Sequence, residues 1–247
     1  MLYLVGLGMG NHNDITLKGL EIVKKADKIY IDTYTSFFED SIEELERFYD
    51  KKIIPAYREI LESDRIVNEA EKENVVLLVV GDALSATTHI DLMMQAKEKN
   101  IDVEAVFNAS ILTAVGKTGL QLYKFGKTTS IPFWKENYNP TNFYDVLKQN
   151  KSIGAHTLCL LDITKEKCMT IKEAIEQFLK LEEEKKEKIF DEQTLCIGCA
   201  RIGFSDEKIK TGTAKELLSE DFGKPLHCLI IVGEMHFVEE ESINNYR

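Results

Sequence analysis

The sequence predicts an α/β protein of two α/β domains with a cleft between them, and three observations carry that expectation. Short β-branched and apolar runs alternate with helical patterns through the first half, the order that gives an open parallel sheet flanked by helices. One run, Val75-Val76-Leu77-Leu78-Val79-Val80, is uninterrupted, as a strand covered on both faces requires. The second half differs in texture, its strand-like runs set around one long helical pattern, and it reads as a second α/β domain with a mixed sheet. The seam is placed near Gly126, giving domains 1–126 and 127–247. A cleft between such halves is where ligands usually sit.

The elements follow in order. Leu2–Val5 reads as a strand and Ile15–Ala26 as a helix, with Ile15, Gly19, Ile22, Val23 and Ala26 on one face and Asp14 in the N-cap position. Lys28–Asp32 is a second strand, followed by a helix over Ile42–Phe48 and a short strand at Ile53-Ile54. The charged stretch Glu59–Lys72 reads as one helix. After the apolar run come a helix over His89–Lys99, a strand at Val103–Phe107 and a helical segment over Ile111–Tyr123. In the second half, strands are expected at Thr128–Phe133, His156–Ile163, Leu195–Ala200 and Leu226–Val232. Between them Ile171, Ala174, Ile175, Phe178 and Leu179 recur at helical spacing. That helix runs into Glu182–Lys188, an all-charged stretch read as a solvated helix end.

Composition narrows the function. A chain of 247 residues, 44% hydrophobic and 30% charged, is an ordinary globular sequence able to bury a large core. A formal charge of -11 disfavours direct nucleic-acid binding, since phosphates reward clustered Lys and Arg. The start, Met1-Leu2-Tyr3-Leu4-Val5-Gly6, is too short and glycine-interrupted for a signal peptide, and no apolar stretch is long enough to cross a membrane. The expected compartment is therefore cytoplasmic, and the Asn108-Ala109-Ser110 sequon carries no expected glycan. Cys159, Cys168, Cys196, Cys199 and Cys228 fit reduced, mostly buried thiols.

Several motifs fail on mechanism. Gly116-Lys117-Thr118 and Gly126-Lys127-Thr128 look like P-loop ends, but Ile111 and Gln121 stand where the first glycine must be. Gly6-Leu7-Gly8-Met9-Gly10 follows a strand, and Asp32 ends the next, as in a dinucleotide fold. The third glycine position is Asn11, however, and the helix starts too late for its N-terminus to hold a pyrophosphate. Cys196-Ile197-Gly198-Cys199 lies in a strand, where residues three apart point to opposite faces, so it makes no metal or redox pair. No histidine has metal spacing and no GxSxG elbow is present. The loop Gly81-Asp82-Ala83-Leu84-Ser85-Ala86-Thr87-Thr88-His89 is different: it leaves the most buried strand carrying one carboxylate and several hydroxyls. It suits a polar, amino-acid-bearing ligand, yet Asp82 and Thr88 could equally cap the helix that follows.

On these blocks the sequence resembles the diphthine synthases. The match runs through Leu4-Val5-Gly6-Leu7-Gly8, Asp14-Ile15-Thr16-Leu17-Lys18-Gly19-Leu20, the loop at 81–89 and Asn108-Ala109-Ser110-Ile111. It continues through residues 119–126, residues 156–163, Ala200-Arg201-Ile202-Gly203 and Pro225-Leu226-His227. The wider relatives are the tetrapyrrole methylases, class III methyltransferases with two α/β domains around a cofactor cleft. What the resemblance implies is methyl transfer from S-adenosyl-L-methionine, leaving S-adenosyl-L-homocysteine, to the 3-amino-3-carboxypropyl-histidine of translation elongation factor 2, in a homodimer. It implies cofactor contacts at Met9, Asp82, Ser85, Ser110, Ile111, Ile163, Phe204 and Leu229, with no metal. It points to no catalytic base, because a carboxylate nucleophile needs none and an amine is helped by a dry cleft. Asn108–Ile111, Cys159 and Phe133-Trp134 are closer to the eukaryotic type, which gives a tetramethylated diphthine methyl ester. Archaeal-type trimethylation and a small-molecule (tetrapyrrole) methylase are the alternatives. Two departures are Ala83, where the family usually has Pro, and Ser85, where the eukaryotic pattern often has Gly.

Overall fold

The structure, a computed structural model, describes residues 1–34, 36–136, 138–164 and 166–247. The chain divides into two units: Met1–Ala114 joined by Gly203–Ser205, and Val115–Ile202 with Asp206–Arg247.

The first unit is built on a parallel sheet. Its strands are β1 (Leu2–Gly6), β2 (Lys28–Asp32), β3 (Ile54–Ala56), β4 (Val75–Val79) and β5 (Val103–Val106), in the order β3-β2-β4-β1-β5. The helices are α1 (Leu17–Lys25), α2 (Ile42–Tyr49), α3 (Arg58–Leu61), α4 (Arg65–Ala70), α5 (Ile90–Glu98) and α6 (Ile111–Ala114). The unbroken apolar run of β4 now has its reason. Val75, Leu77 and Val79 join one core with Ile66, Val67, Leu92 and Ala96, while Val76 and Leu78 join another with Val23, Leu45 and Tyr49. Alternate side chains thus enter two cores, each fully buried Val or Leu contributing about 1.5–3 kcal/mol.

Three sequence expectations are corrected here. Asp14 does not cap α1; it closes a 3-10 turn, His12–Asp14, and accepts from Gly10 N at 2.8 Å. Thr16 is the cap, its hydroxyl accepting from Gly19 N at 3.0 Å. The single helix expected over 59–72 is instead α3 and α4, because Ser63 Oγ turns back to Ile60 O at 2.8 Å, a local bond that competes with helix continuation. The helix expected over 111–123 likewise breaks into α6 and 3-10 turns at Val115–Thr118 and Leu122–Lys124, where Gly119 takes φ +92°.

The second unit has a mixed sheet of β6 (Thr129–Ile131), β7 (Thr157–Leu161), β8 (Leu195–Ala200), β9 (Lys208–Thr213) and β10 (His227–Ile231), ordered β6-β7-β10-β8-β9. β6 and β7 are parallel and the other pairings antiparallel. Its helices are α7 (Asn142–Ser152), α8 (Ile171–Lys185), α9 (Ala214–Leu218) and α10 (Phe237–Ile243). α8 contributes Ile171, Ala174, Ile175, Phe178 and Leu181 to the core, and the Phe178 ring lies 5.0 Å from both Phe143 and Phe190. The charged end of α8 is not simply solvated. Glu182 accepts from Tyr144 Oη at 2.7 Å and from the backbone N–H groups of Lys188, Ile189 and Phe190. Burial pushes its pKa up, but these donors outweigh it and hold the carboxyl below its ordinary value.

The 119–126 and 156–163 blocks meet on one buried carboxylate. Glu239 of α10 accepts from Gln121 N at 2.8 Å, Lys124 Nζ at 2.5 Å, His156 Nε2 at 3.1 Å and His236 N at 2.8 Å. His156 Nδ1 accepts from Gly233 N at 2.9 Å, which fixes the ring proton on Nε2. Cys199 and Cys228 stand directly opposite on β8 and β10, both free thiols. Among the described residues, no helix is long and apolar enough to cross a membrane, and no group of His, Cys, Asp and Glu could hold a metal ion.

Candidate active site

β4, β1 and β5 lie side by side and parallel, so their loops emerge at the same edge of the first sheet. The carboxyl edge of an open α/β sheet is where ligands bind. Backbone bonds build its floor. Leu7 N donates to Val79 O at 2.8 Å, and Gly8 and Gly81 exchange hydrogen bonds of 3.1 and 2.8 Å. A Cβ on Gly6 would stand 2.7 Å from Gly81 O, and Gly81 itself takes φ +79°, so this close approach needs glycine at both positions.

Asp82 is only 6% exposed. Its Oδ1 accepts from Leu84 N and Ser85 Oγ, both at 3.0 Å, and its Oδ2 accepts from Asn108 N at 3.0 Å. It caps no helix, since α5 starts without a side-chain cap bond. The carboxylate orders its own loop instead and ties it to the loop after β5. A carboxylate has about four acceptor positions, so one stays open to a further donor. Asn108 completes the tie: Nδ2 donates to Gly6 O at 3.0 Å and Asp14 O at 2.9 Å, and Oδ1 accepts from Ala109 N at 2.8 Å. Ser110 is buried beside Gly81, whose added Cβ would lie 3.7 Å from Ser110 Cα. Ile111 is the first residue of α6 and half-buried.

Met9 and Phe204 come to the same unit from distant sequence. Gly203, at φ +95°, approaches so closely that a Cβ there would lie 2.6 Å from Met9 Cβ. Ser205 N then donates to Glu39 Oε1 at 3.1 Å. The first unit therefore holds Met9, Asp82, Ser85, Ser110, Ile111 and Phe204. Ile163 and Leu229 belong to the second unit. Ile163 is half-buried just beyond β7, bridged to Cys168. Leu229 is fully enclosed in the second core, paired with Cys159 on one side and Gly198 on the other, so its side chain has no exposed surface for a ligand.

Two histidines had no role in the sequence reading. His12 Nδ1 lies 2.8 Å from Asp40 Oδ2, which also accepts His12 N at 2.7 Å. His89 is buried, with Nδ1 at 3.1 Å from Ala83 O and Nε2 at 3.1 Å from Asp32 Oδ2. The second contact is an ion-pair distance rather than an aligned hydrogen bond. No spacing signal links either pair, since the partners sit 28 and 57 residues apart. Asp32, with its side chain enclosed and Oδ1 accepting Tyr34 N at 2.7 Å, offers nothing to a ribose. The dinucleotide pattern thus fails in the structure too.

The profile of the tetrapyrrole (corrin/porphyrin) methylases matches residues 1–218. The diphthine methyl ester synthase of Dictyostelium discoideum is 47% identical, the match covering 100% of this chain and 98% of that protein. That of Homo sapiens is 42% identical over 99% of this chain and 94% of its own length. The chain belongs to the tetrapyrrole methylases, in their diphthine synthase branch. A crystal structure of diphthine synthase superposes with a TM-score of 0.90 at 37% identity, covering 99% of this chain and 95% of that one. As a tetrapyrrole methylase the chain is a methyltransferase that needs a methyl donor. Ser85 adds a hydroxyl that bonds Asp82, which glycine would lack. Ala83 is fully buried, and its carbonyl accepts from Thr87 Oγ1 at 2.9 Å as well as facing His89.

Proposed function

We propose that this chain methylates the 3-amino-3-carboxypropyl-histidine of translation elongation factor 2, using S-adenosyl-L-methionine, to the tetramethylated diphthine methyl ester. It acts in the cytoplasm as a homodimer, with no nucleic acid or membrane partner. The observation that carries the reading is the end-to-end match to proteins named diphthine methyl ester synthase.

The donor set fits the cofactor. A nearly enclosed carboxylate with one open acceptor position, a buried Ser110 and glycine backbone at 6, 8 and 81 suit a ligand with a cationic amino-acid end. In this reading Met9, Asp82, Ser85, Ser110, Ile111, Ile163 and Phe204 hold it, and the enclosed Leu229 backs the second sheet from within its core. The bound cofactor supplies an electrophilic methyl group on a sulfonium sulfur. Asp82 orients the cofactor's polar groups through a carboxylate whose position three donors have already set. The chain's remaining work is to bring the nucleophile to within about 3–3.5 Å in line and to exclude water, which lowers the pKa of an ammonium and frees the amine. A carboxylate nucleophile arrives ready, so no residue is assigned as a general base.

The test is incubation with labelled S-adenosyl-L-methionine and elongation factor 2 bearing the modified histidine, followed by mass spectrometry of the factor. Label on the factor with four methyl groups is the expected result. Three methyl groups would reassign the chain to the archaeal-type product, and label confined to small molecules would overturn the reading.

A further inference from the structure

His89 is a buried polar residue at a position where a capping side chain would ordinarily do, yet it caps nothing. Its ring reaches back six residues to Ala83 O and sideways to Asp32 at the end of β2. Ala83 O also receives Thr87 Oγ1, so both of its acceptor positions are taken from within residues 81–89. The loop needs such fixing, because Ala86 sits at φ +60°. A residue with a Cβ persists in that conformation only when its surroundings over-determine it. Asp32 is held in turn by Tyr34 N, so the tie ends on the framework strand β2 rather than on another loop. Asp82 and Ser85 are the residues this arrangement orients.

The geometry points to His89 as a positioning residue: with Asp32 it locks the 81–89 loop into the conformation that presents Asp82 and Ser85, and so sets cofactor affinity. The inference rests on the assignment of this loop to the cofactor. His89 touches no reacting atom, so its loss weakens cofactor binding and leaves the methyl-transfer step itself unchanged.

Calorimetric titration of the full chain with S-adenosyl-L-homocysteine, alongside initial-rate kinetics, tests this on variants that keep the native circular dichroism. His89→Leu should weaken binding about tenfold and raise KM for the methyl donor in step, with kcat within about twofold of the parent. His89→Asn, whose amide can still donate to Ala83 O, should recover most of the affinity. Ala86→Gly placed in the His89→Leu background should recover part of it, since glycine takes a positive φ without the Cβ penalty. Unchanged affinity in His89→Leu, or an Asn variant as impaired as the Leu one, would overturn the proposal. Should His89→Leu not fold, Asp32→Asn keeps the shape of the site and removes its charge. It should weaken binding about threefold or more, and unchanged binding overturns the proposal equally. Failure of the parent protein to bind S-adenosyl-L-homocysteine would instead sink the assignment of the loop.

Discussion

Asp82 carries three donors on one carboxylate, two from its own loop and one from the loop after β5. Replacing it by Ala removes both the tie and the charge, and calorimetry with S-adenosyl-L-homocysteine should show affinity reduced about tenfold or more. Equal affinity would remove Asp82 from the site. Glu239 presents the same chemistry in the second unit. Its four donors come from Gln121, Lys124, His156 and His236, and its side chain is fully enclosed. In Glu239→Gln, one carboxylate oxygen becomes an amide that faces donors. Chemical denaturation should report a loss of about 2–4 kcal/mol, the cost of leaving buried donors unpaired. Of these two carboxylates, the sequence flagged only Asp82. It ends a conspicuous strand, whereas the partners of Glu239 lie as far as 118 residues away.

At the scale of elements, β4 is the most legible part of the chain, and burial explains why. Both of its faces are covered, so its composition alone separates it from its neighbours. Leu77→Ala should cost about 2–5 kcal/mol in denaturant unfolding, the usual loss when a buried leucine leaves a cavity. Thr16→Ala should cost about 1 kcal/mol, because Thr16 and not Asp14 caps α1. A null effect at Thr16 with a loss of helix stability at Asp14 would reverse that assignment. The elements absent from the sequence reading share a property. α7, β9, α9 and α10 are short or carry polar residues among the apolar ones, and tertiary packing on the second sheet decides them. Phe143, Tyr144 and Leu147 of α7 are buried against α8 and its neighbours. That face is apparent only once the partner helix is present.

For the whole molecule, the buried titratable groups set the response to acid. Burial lowers the pKa of His156, and Glu239 raises it less; burial likewise lowers that of His227. Both rings are therefore favoured neutral in the folded state. Their contribution is present above the ordinary value of 6.5 and is lost as pH falls below it. Burial pushes Glu239 up, but its donors prevail and hold it down at about 2, against an ordinary 4.5. That contribution is present above 4.5 and disappears as pH falls towards 2. Melting temperature should accordingly decline in two stages, first from about pH 6.5 and more steeply below about pH 4.5. A flat profile between pH 7 and 5 would show that the histidines do not contribute. The sequence by itself determined the α/β class, the parallel character of the first sheet, the buried β4 and the loop that leaves it. These follow from local periodicity, glycine placement and runs of apolar residues, which neighbours in sequence can express. Only the tertiary structure decided that Asp82 ties two loops rather than capping a helix. It alone joined Phe204 to the unit of Met9, enclosed Leu229 and placed His89 on Asp32. Each of those depends on residues far apart in the chain, and contacts of that kind leave no period in the sequence.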